Sequence, residues 1–483
     1  MANINKNSVR DELDRLRSRF EELAGEGKLT SESKLLMQSM FTLLELICAI
    51  FLEKNTAKTS KNSSKPPSQT DKDESALSQK GRNGKGKTEQ AGLADNTRVV
   101  NVVTVSEVTS CPICGEDLTH THCHGQERRT RIDIVFEKVV EHVDAQIKAC
   151  TRCGTEVKGD FPADMPGPLQ YGNGLKAYCI NLLICQMVAL NRVQKAVKAM
   201  IGVVISEATL LKFVRRLHES LADWEALVTE QLLNSTAINV DETSLRVERK
   251  NHWIHVYSSG DITLKYLHRK RGKEAIESIN IIPRYGGVII HDCWSSYLSY
   301  NHCTHGLCGS HLLRELAFVV DANDYRWATT MKRLLQETCR EVSGRKQKKL
   351  TADEYRQLQR RYRTIITHGE KELPAIPAKP SGQRGKMAKS AAHNLWERLK
   401  TYEAAVLLFA KDGNVSFTNN RAERDLRMSK VKQKVSGCFR SVEYAQAYCR
   451  ISSYLQSMAN RGHNPLIAIQ MALAGNASAG WGE

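Results

Sequence analysis

Acidic charge is the scarce kind in this chain. Asp and Glu number 53 against 70 Lys and Arg, a formal charge of +17 with a pI near 9.2. So basic a balance favours a polyanionic partner, either nucleic acid or an acidic membrane surface. An apolar signal core is missing from the first ten residues, and the longest apolar stretches, at 43–52 and 179–190, read as too short to span a bilayer. No membrane partner is expected, and the cytosol is. No Gly-x-Ser-x-Gly elbow occurs, which removes the usual mark of a serine hydrolase. Without a secretory signal, the 14 cysteines are expected to be free thiols apart from one spaced set. At 41% hydrophobic, the 483 residues suffice for roughly three domains.

The stretch 237–247 reads as a buried strand with an acid, Asp241, in its middle. A carboxylate there needs a cation, a salt bridge or a metal ion, since burying it unpaired costs several kcal/mol. A second apolar strand, 286–292, ends on Asp292 just before Cys293-Trp294-Ser295. Between them lie strand patterns at 252–257 and 262–267 and a helical one at 273–279, and 304–308 reads as a fifth strand. Three strands, helix, strand, short segment, strand is the ribonuclease-H-like order, in which the first and fourth strands are neighbours and their acids can face one metal.

A third acid is expected from a helix across the same sheet edge, and Glu423 in the segment 419–434 is the candidate. Arg427, Lys430 and Lys434 follow it at helical spacing, giving a face that is acidic first and basic afterwards. Seven Lys or Arg against two acids between Arg421 and Arg440 suit phosphates beyond the metal.

Four motifs in order then resemble those of the DDE transposases of the insertion sequence 66 family: Val240-Asp241-Glu242-Thr243-Ser244, His291-Asp292-Cys293-Trp294, the Cys308 to Leu316 segment, and Asn419-Asn420-Arg421-Ala422-Glu423 with its basic tail. The resemblance implies a bacterial DNA transposase that binds the ends of its element, cuts them and joins the freed 3′-hydroxyl to target DNA. Its metal-binding acids carry over to Asp241, Asp292 and Glu423, for two magnesium ions with manganese as an alternative. It also implies assembly as a homo-oligomer on paired ends, small companion proteins, which such elements often encode, and a cytoplasmic place at the nucleoid. Trp294, Cys308 and His311 are accessory candidates: Cys308-x-x-His311 resembles a signature of several DDE families, where the pair orders the site, binds a flipped base or is simply structural. The basic segment after Glu423 departs from the sequence common in the family.

The remaining chain reads as further domains. In 1–55, Val9, Leu13, Leu16, Phe20 and Leu23, then Leu36, Met40, Leu43, Ile47 and Ile50, follow a heptad rhythm, for a coiled-coil pair or two amphipathic helices packed on their own domain. The polar, Gly- and Ser-containing stretch 56–100, with a basic run at 80–87, reads as a flexible linker. In 101–168, Cys111-x-x-Cys114 and Cys150-x-x-Cys153, 35 residues apart and each followed by Gly, signal a zinc ribbon with a structural, fully ligated Zn²⁺; the His-rich 119–124 could supply a ligand instead. The region 169–235 reads as helical, with a helix-turn-helix-like pair carrying Lys212, Arg215 and Arg216, for reading DNA or as a structural helix pair. The ribonuclease-H-like α/β domain, 236–440, holds a helical insertion at 309–415 with a basic loop at Arg384, Lys386 and Lys389, and 441–483 closes as helices. The fold class is thus multidomain α+β. The competing readings are another ribonuclease-H-like metal nuclease and a non-catalytic DNA-binding protein derived from a transposase.

Overall fold

The computed structural model describes residues 6–59, 61–62, 105–131, 137–376 and 388–481. Most of the linker, with its basic run at 80–87, and Arg384 and Lys386 lie outside them. Two helices open the chain, α1 (Lys6–Gly25) and α2 (Ser31–Asn55), joined through Phe20 against Phe41 and an Arg17–Glu45 ion pair. The heptad residues Leu36, Met40, Leu43 and Ile47 are exposed, while Leu46, Ala49 and Leu52 are buried. Within α2, residues 31–54 form a helix long and apolar enough by length and composition to cross a membrane. The sequence reading found a shorter run because it stopped at Gln38, Ser39 and Thr42, which are polar but uncharged. Buried Glu53 ties the end of α2 into the protein by accepting from the Ala391 and Ala392 amides and from Asn323.

Residues 105–131 and 137–172 carry a two-stranded hairpin, β1 (Ile147–Ala149) and β2 (Glu156–Lys158). Four helices follow: α3 (Asn173–Ile184), α4 (Leu190–Ile201), α5 (Glu207–Ser220) and α6 (Ala222–Leu233). Helix α4 ends on Gly202 at φ +69°, a left-handed turn that glycine adopts without a Cβ penalty, and Ser206 caps α5 by accepting from the Thr209 amide. Val193, Val197, Leu210, Val214 and Leu217 bury one face of this pair, and Lys212, Arg215 and Arg216 lie exposed on the other.

The central sheet contains β3 (Ala237–Val247), β4 (Lys250–Ser259), β5 (Ile262–His268), β6 (Val288–His291) and β7 (Thr304–Leu307), in the order β5-β4-β3-β6-β7. The first three strands are an antiparallel meander; β3 pairs parallel with β6, and β6 with β7. The β3–β4 turn puts Glu248 and Arg249 at φ +51° and +61°, matching the twist of a two-residue hairpin. Between β5 and β6 lies α7 (Lys273–Ile279), and α8 (Ser295–Leu298) follows Asp292. From β7 the chain enters α9 (Gly309–Asn323), α10 (Arg326–Gly344), α11 (Ala352–Glu372), α12 (Ala391–Thr401) and α13 (Glu403–Lys411). It returns through α14 (Asn420–Ser436) and closes with α15 (Val442–Asn460) and α16 (Pro465–Leu473).

Two hydrophobic cores result. One joins the sheet to α3–α6 and α14–α16, and the other joins α9–α13 to Ile290 and Leu307 at the far sheet edge. At the near edge, α15 presents Ser453 and Ser457, one turn apart, whose hydroxyls accept from the Lys265 and Thr263 amides of β5. An edge strand is thereby closed to further pairing. Asp425 of α14, with its side chain fully buried, accepts from Ser258, Thr263, Gln456 and Arg421. Removing the carboxylate leaves four donors without their acceptor, so Asp425→Ala should lower the unfolding free energy by about 3 kcal/mol or more. Urea denaturation followed by circular dichroism checks this.

Candidate active site

Asp241 lies on β3, Asp292 directly after β6, and Glu423 in the first turn of α14. The parallel pairing of Asn239 with Ile290 sets the first two side by side across the sheet. The third is brought in by Asn419, the residue preceding α14. Its side-chain amide donates to Val240 O at 2.8 Å, its carbonyl accepts from Asn239 Nδ2 at 2.8 Å, and its backbone N–H donates to Cys308 Sγ at 3.1 Å. Glu423 follows one turn later, beside the strand that carries Asp241.

The local electrostatics show that these acids share one region. Burial pushes Asp241 up to about 8, and Glu242, Asp292 and Glu423 push it the same way, while a hydrogen bond from the Glu242 amide opposes them. Asp292 accepts from the Trp294 amide at 3.1 Å. Glu423 Oε1 lies 3.5 Å from His311 Nδ1 and 3.9 Å from Arg314 Nη2; this oxygen and His311 Nδ1 are both buried without a hydrogen-bond partner. Cys308, His311 and Glu423 bring three donor atoms within 4.8 Å of one another. A carboxyl pushed up by burial and then by its acidic neighbours, and another with an orphaned buried oxygen, fit a site that receives divalent cations through oxygen ligands.

Glu242, next to Asp241, is held differently. Its oxygens take Arg271 at 2.6 Å and the Tyr297 hydroxyl at 2.6 Å, and the Arg271 guanidinium lies 4.3 Å from the Trp294 ring centre and 5.0 Å from that of Trp253. Burial still raises Glu242, with the Tyr297 hydrogen bond opposing. Of this cluster the sequence reading singled out only Trp294; the roles of Glu242, Arg271 and Tyr297, like those of Asn419 and Asp425, escaped it, and the one usable signal was a second acid at 242 inside a strand. His291 is also clamped: Nδ1 accepts from the Cys293 amide and Nε2 meets His305 Nδ1 at 3.1 Å, which fixes the turn carrying Asp292.

The other sequence candidates lie elsewhere. Arg427, Lys430 and Lys434 are exposed along α14, whereas Lys432 is partly buried and donates to Leu183 O. Arg215 pairs with Glu219 and Glu443, and Lys389 with Glu397. Each cysteine knuckle is formed as a turn: Cys111 N–H donates to Glu116 O and Cys150 N–H to Thr155 O, with Gly115 and Gly154 at φ +76° and +73°. Hydrogen bonding from the Cys114 amide, then that of Ile113, lowers Cys111; the Thr155 side chain, then its amide, lowers Cys153. No three of the four thiols lie within that same 4.8 Å of one another.

Carboxylates from two adjacent strands and a crossing helix define a site that can hold divalent cations. The family model described as Transposase IS66 family matches residues 168–447, more than half of the chain and all three acids. The chain belongs to this family, a family of DDE transposases, for which divalent-metal use is implied. No curated protein matches it.

The raised Asp241 has a consequence for stability without added magnesium. Unfolded, the carboxyl ionises near 4; folded, it keeps its proton to about pH 8. The folded state therefore binds more protons between these values, and stability falls as pH rises through the window. Asp241→Asn should remove that loss, so its gain over the wild type grows from pH 4 to 8, levels off above, and shrinks when magnesium is added. Denaturation at stepped pH measures it.

Proposed function

We propose that this protein is a DNA transposase that binds the ends of its element, cuts them and joins the 3′-hydroxyl to target DNA, using Asp241, Asp292 and Glu423 as metal ligands on a ribonuclease-H-like sheet. The observation that carries this reading is the convergence of the three acids, with Asp241 pushed up to about 8 by burial and its acidic neighbours. The strand order β5-β4-β3-β6-β7, with a meander and two parallel neighbours, supports the fold assignment. Two Mg²⁺ ions, or Mn²⁺ in their place, would supply activation of water or of a 3′-hydroxyl and charge neutralisation on the phosphate. The chain's own residues set the stage: the Trp294 amide orients Asp292, Asn419 seats the Glu423 helix, and His311 with Arg314 flanks Glu423.

DNA is the partner, and each further element takes a share of it. The exposed Arg427, Lys430 and Lys434 continue from the metal site along phosphates. Helix α5 presents Lys212 and Arg216 for contact with DNA, whereas Arg215 is already engaged by Glu219 and Glu443. Cys111, Cys114, Cys150 and Cys153 close on one structural Zn²⁺, each knuckle already shaped by amides that favour thiolate. The protein works in the bacterial cytoplasm as a homo-oligomer on paired ends, with element-encoded helpers as companions.

Strand transfer with magnesium and the cognate ends tests the reading. Asp241→Asn, Asp292→Asn and Glu423→Gln should each fall below about a tenth of wild-type strand transfer while end binding stays within several-fold, because metal ligands go and little packing is lost. A different metal nuclease would cut without joining, and a binding-only descendant would do neither. For the basic face, Arg427→Ala, Lys430→Ala and Lys434→Ala should each weaken cognate and random DNA alike and reduce the slope of log affinity against log salt by about 0.9. Lys430→Arg should keep most of the binding, and an unchanged slope would restrict α14 to carrying Glu423.

A further inference from the structure

The donors beside Asp241 and Asp292 are not all of one chemical kind. Cys308 ends the segment leading out of β7, His311 lies in the first turn of α9, and Glu423 lies in the first turn of α14; one sulfur, one ring nitrogen and one carboxylate oxygen come within 4.8 Å of one another. His311 Nδ1 and Glu423 Oε1 are 3.5 Å apart, and neither buried atom has a hydrogen-bond partner. The Asn419 amide already donates to Cys308 Sγ at 3.1 Å, a contact that a thiolate strengthens. A tetrahedral zinc site, with Zn–S about 2.3 Å and Zn–N or Zn–O about 2.0–2.2 Å, spaces its donors roughly 3.3–3.7 Å apart. The observed spacing therefore needs closure of about 1.5 Å at most. Arg314 Nη2, 3.9 Å from Glu423 Oε1, opposes a cation here, whereas the surrounding acids favour one.

We propose that Cys308, His311 and Glu423 form a second metal site, selective for a borderline-soft divalent cation such as Zn²⁺, that competes for Glu423 and so inhibits the magnesium-dependent reaction. Thiolate and imidazole select zinc over magnesium, which prefers oxygen donors. Three protein ligands leave the fourth position open to water. Binding displaces the Cys308 proton to solvent and uses His311 in its neutral form, so nothing is oxidised or reduced. The inhibition rests on Glu423 serving the catalytic metals; the binding itself does not.

The test uses the full chain and zinc alone. After equilibration with excess zinc and removal of the unbound ion, wild-type protein should retain one more equivalent per chain than Cys308→Ser or His311→Gln, whatever the knuckles hold. Cys308→Asp guards against misfolding, because its carboxylate can still accept the Asn419 N–H; it should also lose the equivalent, being a poorer zinc ligand. Equal zinc contents in the wild type and all three variants overturn the site. In strand transfer with magnesium, wild type should be inhibited by zinc at concentrations far below that of magnesium, and Cys308→Asp should need at least about tenfold more zinc relative to its own zinc-free rate. Zinc retained by the wild type without inhibition overturns the competition for Glu423. Absence of strand transfer by the wild type in magnesium alone would count against the transposase reading and the inhibition together, while the zinc count still decides the site.

Discussion

The arrangement of the acids depends on one side chain. Asn419 is almost fully buried, and its amide bridges Asn239 and the Val240 carbonyl while its backbone N–H reaches Cys308. Those contacts fix where α14 begins on the sheet, and Glu423 is placed by the turn that follows. The rotation of the helix about its axis is set from the other side by Asp425, two residues beyond Glu423 and therefore about 200° away around the axis. Asp425 is held by β4, β5 and α15, so Glu423 is left facing the edge occupied by Asp241 and Asp292.

What could be read in advance followed from periodicity. Strands with buried Ile238 and Val240, or Ile289 and Ile290, show themselves by apolar patterning, and an acid interrupting such a pattern asks for an explanation. Hence the strand order and the three acids were legible, together with the two helices around Gly202. Asn419 was not, because asparagine before a helix usually caps that helix locally, whereas here it bonds to a strand 179 residues earlier. Asp425 and Lys265 escaped for a related reason. Both are charged residues with fully buried side chains, stabilised by partners distant in sequence, and the pattern around Asp425 reads as a solvated basic helix. The apolar length of α2, though not the helix itself, escaped because its uncharged polar residues masked how long the apolar character persists.

The charges around the site are distributed unevenly, and that unevenness has a chemical meaning. Arg271 is committed to Glu242, and His311 with Arg314 stands beside Glu423. Among the described residues, no ion pair reaches Asp241 or Asp292, each of which accepts a hydrogen bond from a backbone amide. The carboxyls without a cationic partner are therefore concentrated between the two strands. A site built for a permanent salt bridge would have placed an arginine there; one built to receive a cation keeps the carboxylates short of partners and accepts the desolvation cost in its absence.

The insertion poses a separate physical question, since more than a hundred residues interrupt the chain between the second and third acids without disturbing their geometry. The answer lies at its neck. Gly309 N–H donates to Phe417 O at 2.7 Å, and a Cβ on Gly309 would run into the Phe417 ring, so glycine lets the ring pack directly over the neck where the outgoing and returning chains meet. Two residues further on, Asn419 meets Cys308. The inserted helices bury their apolar faces in a second core, which they share with Ile290 and Leu307 of the sheet. Closing so long a loop costs little more than closing a short one, because the entropy grows only with the logarithm of its length. A clasped neck and a second core anchored on the sheet thus leave the registration of Glu423 to Asn419, which is how a helix distant in sequence can complete a site built on two adjacent strands.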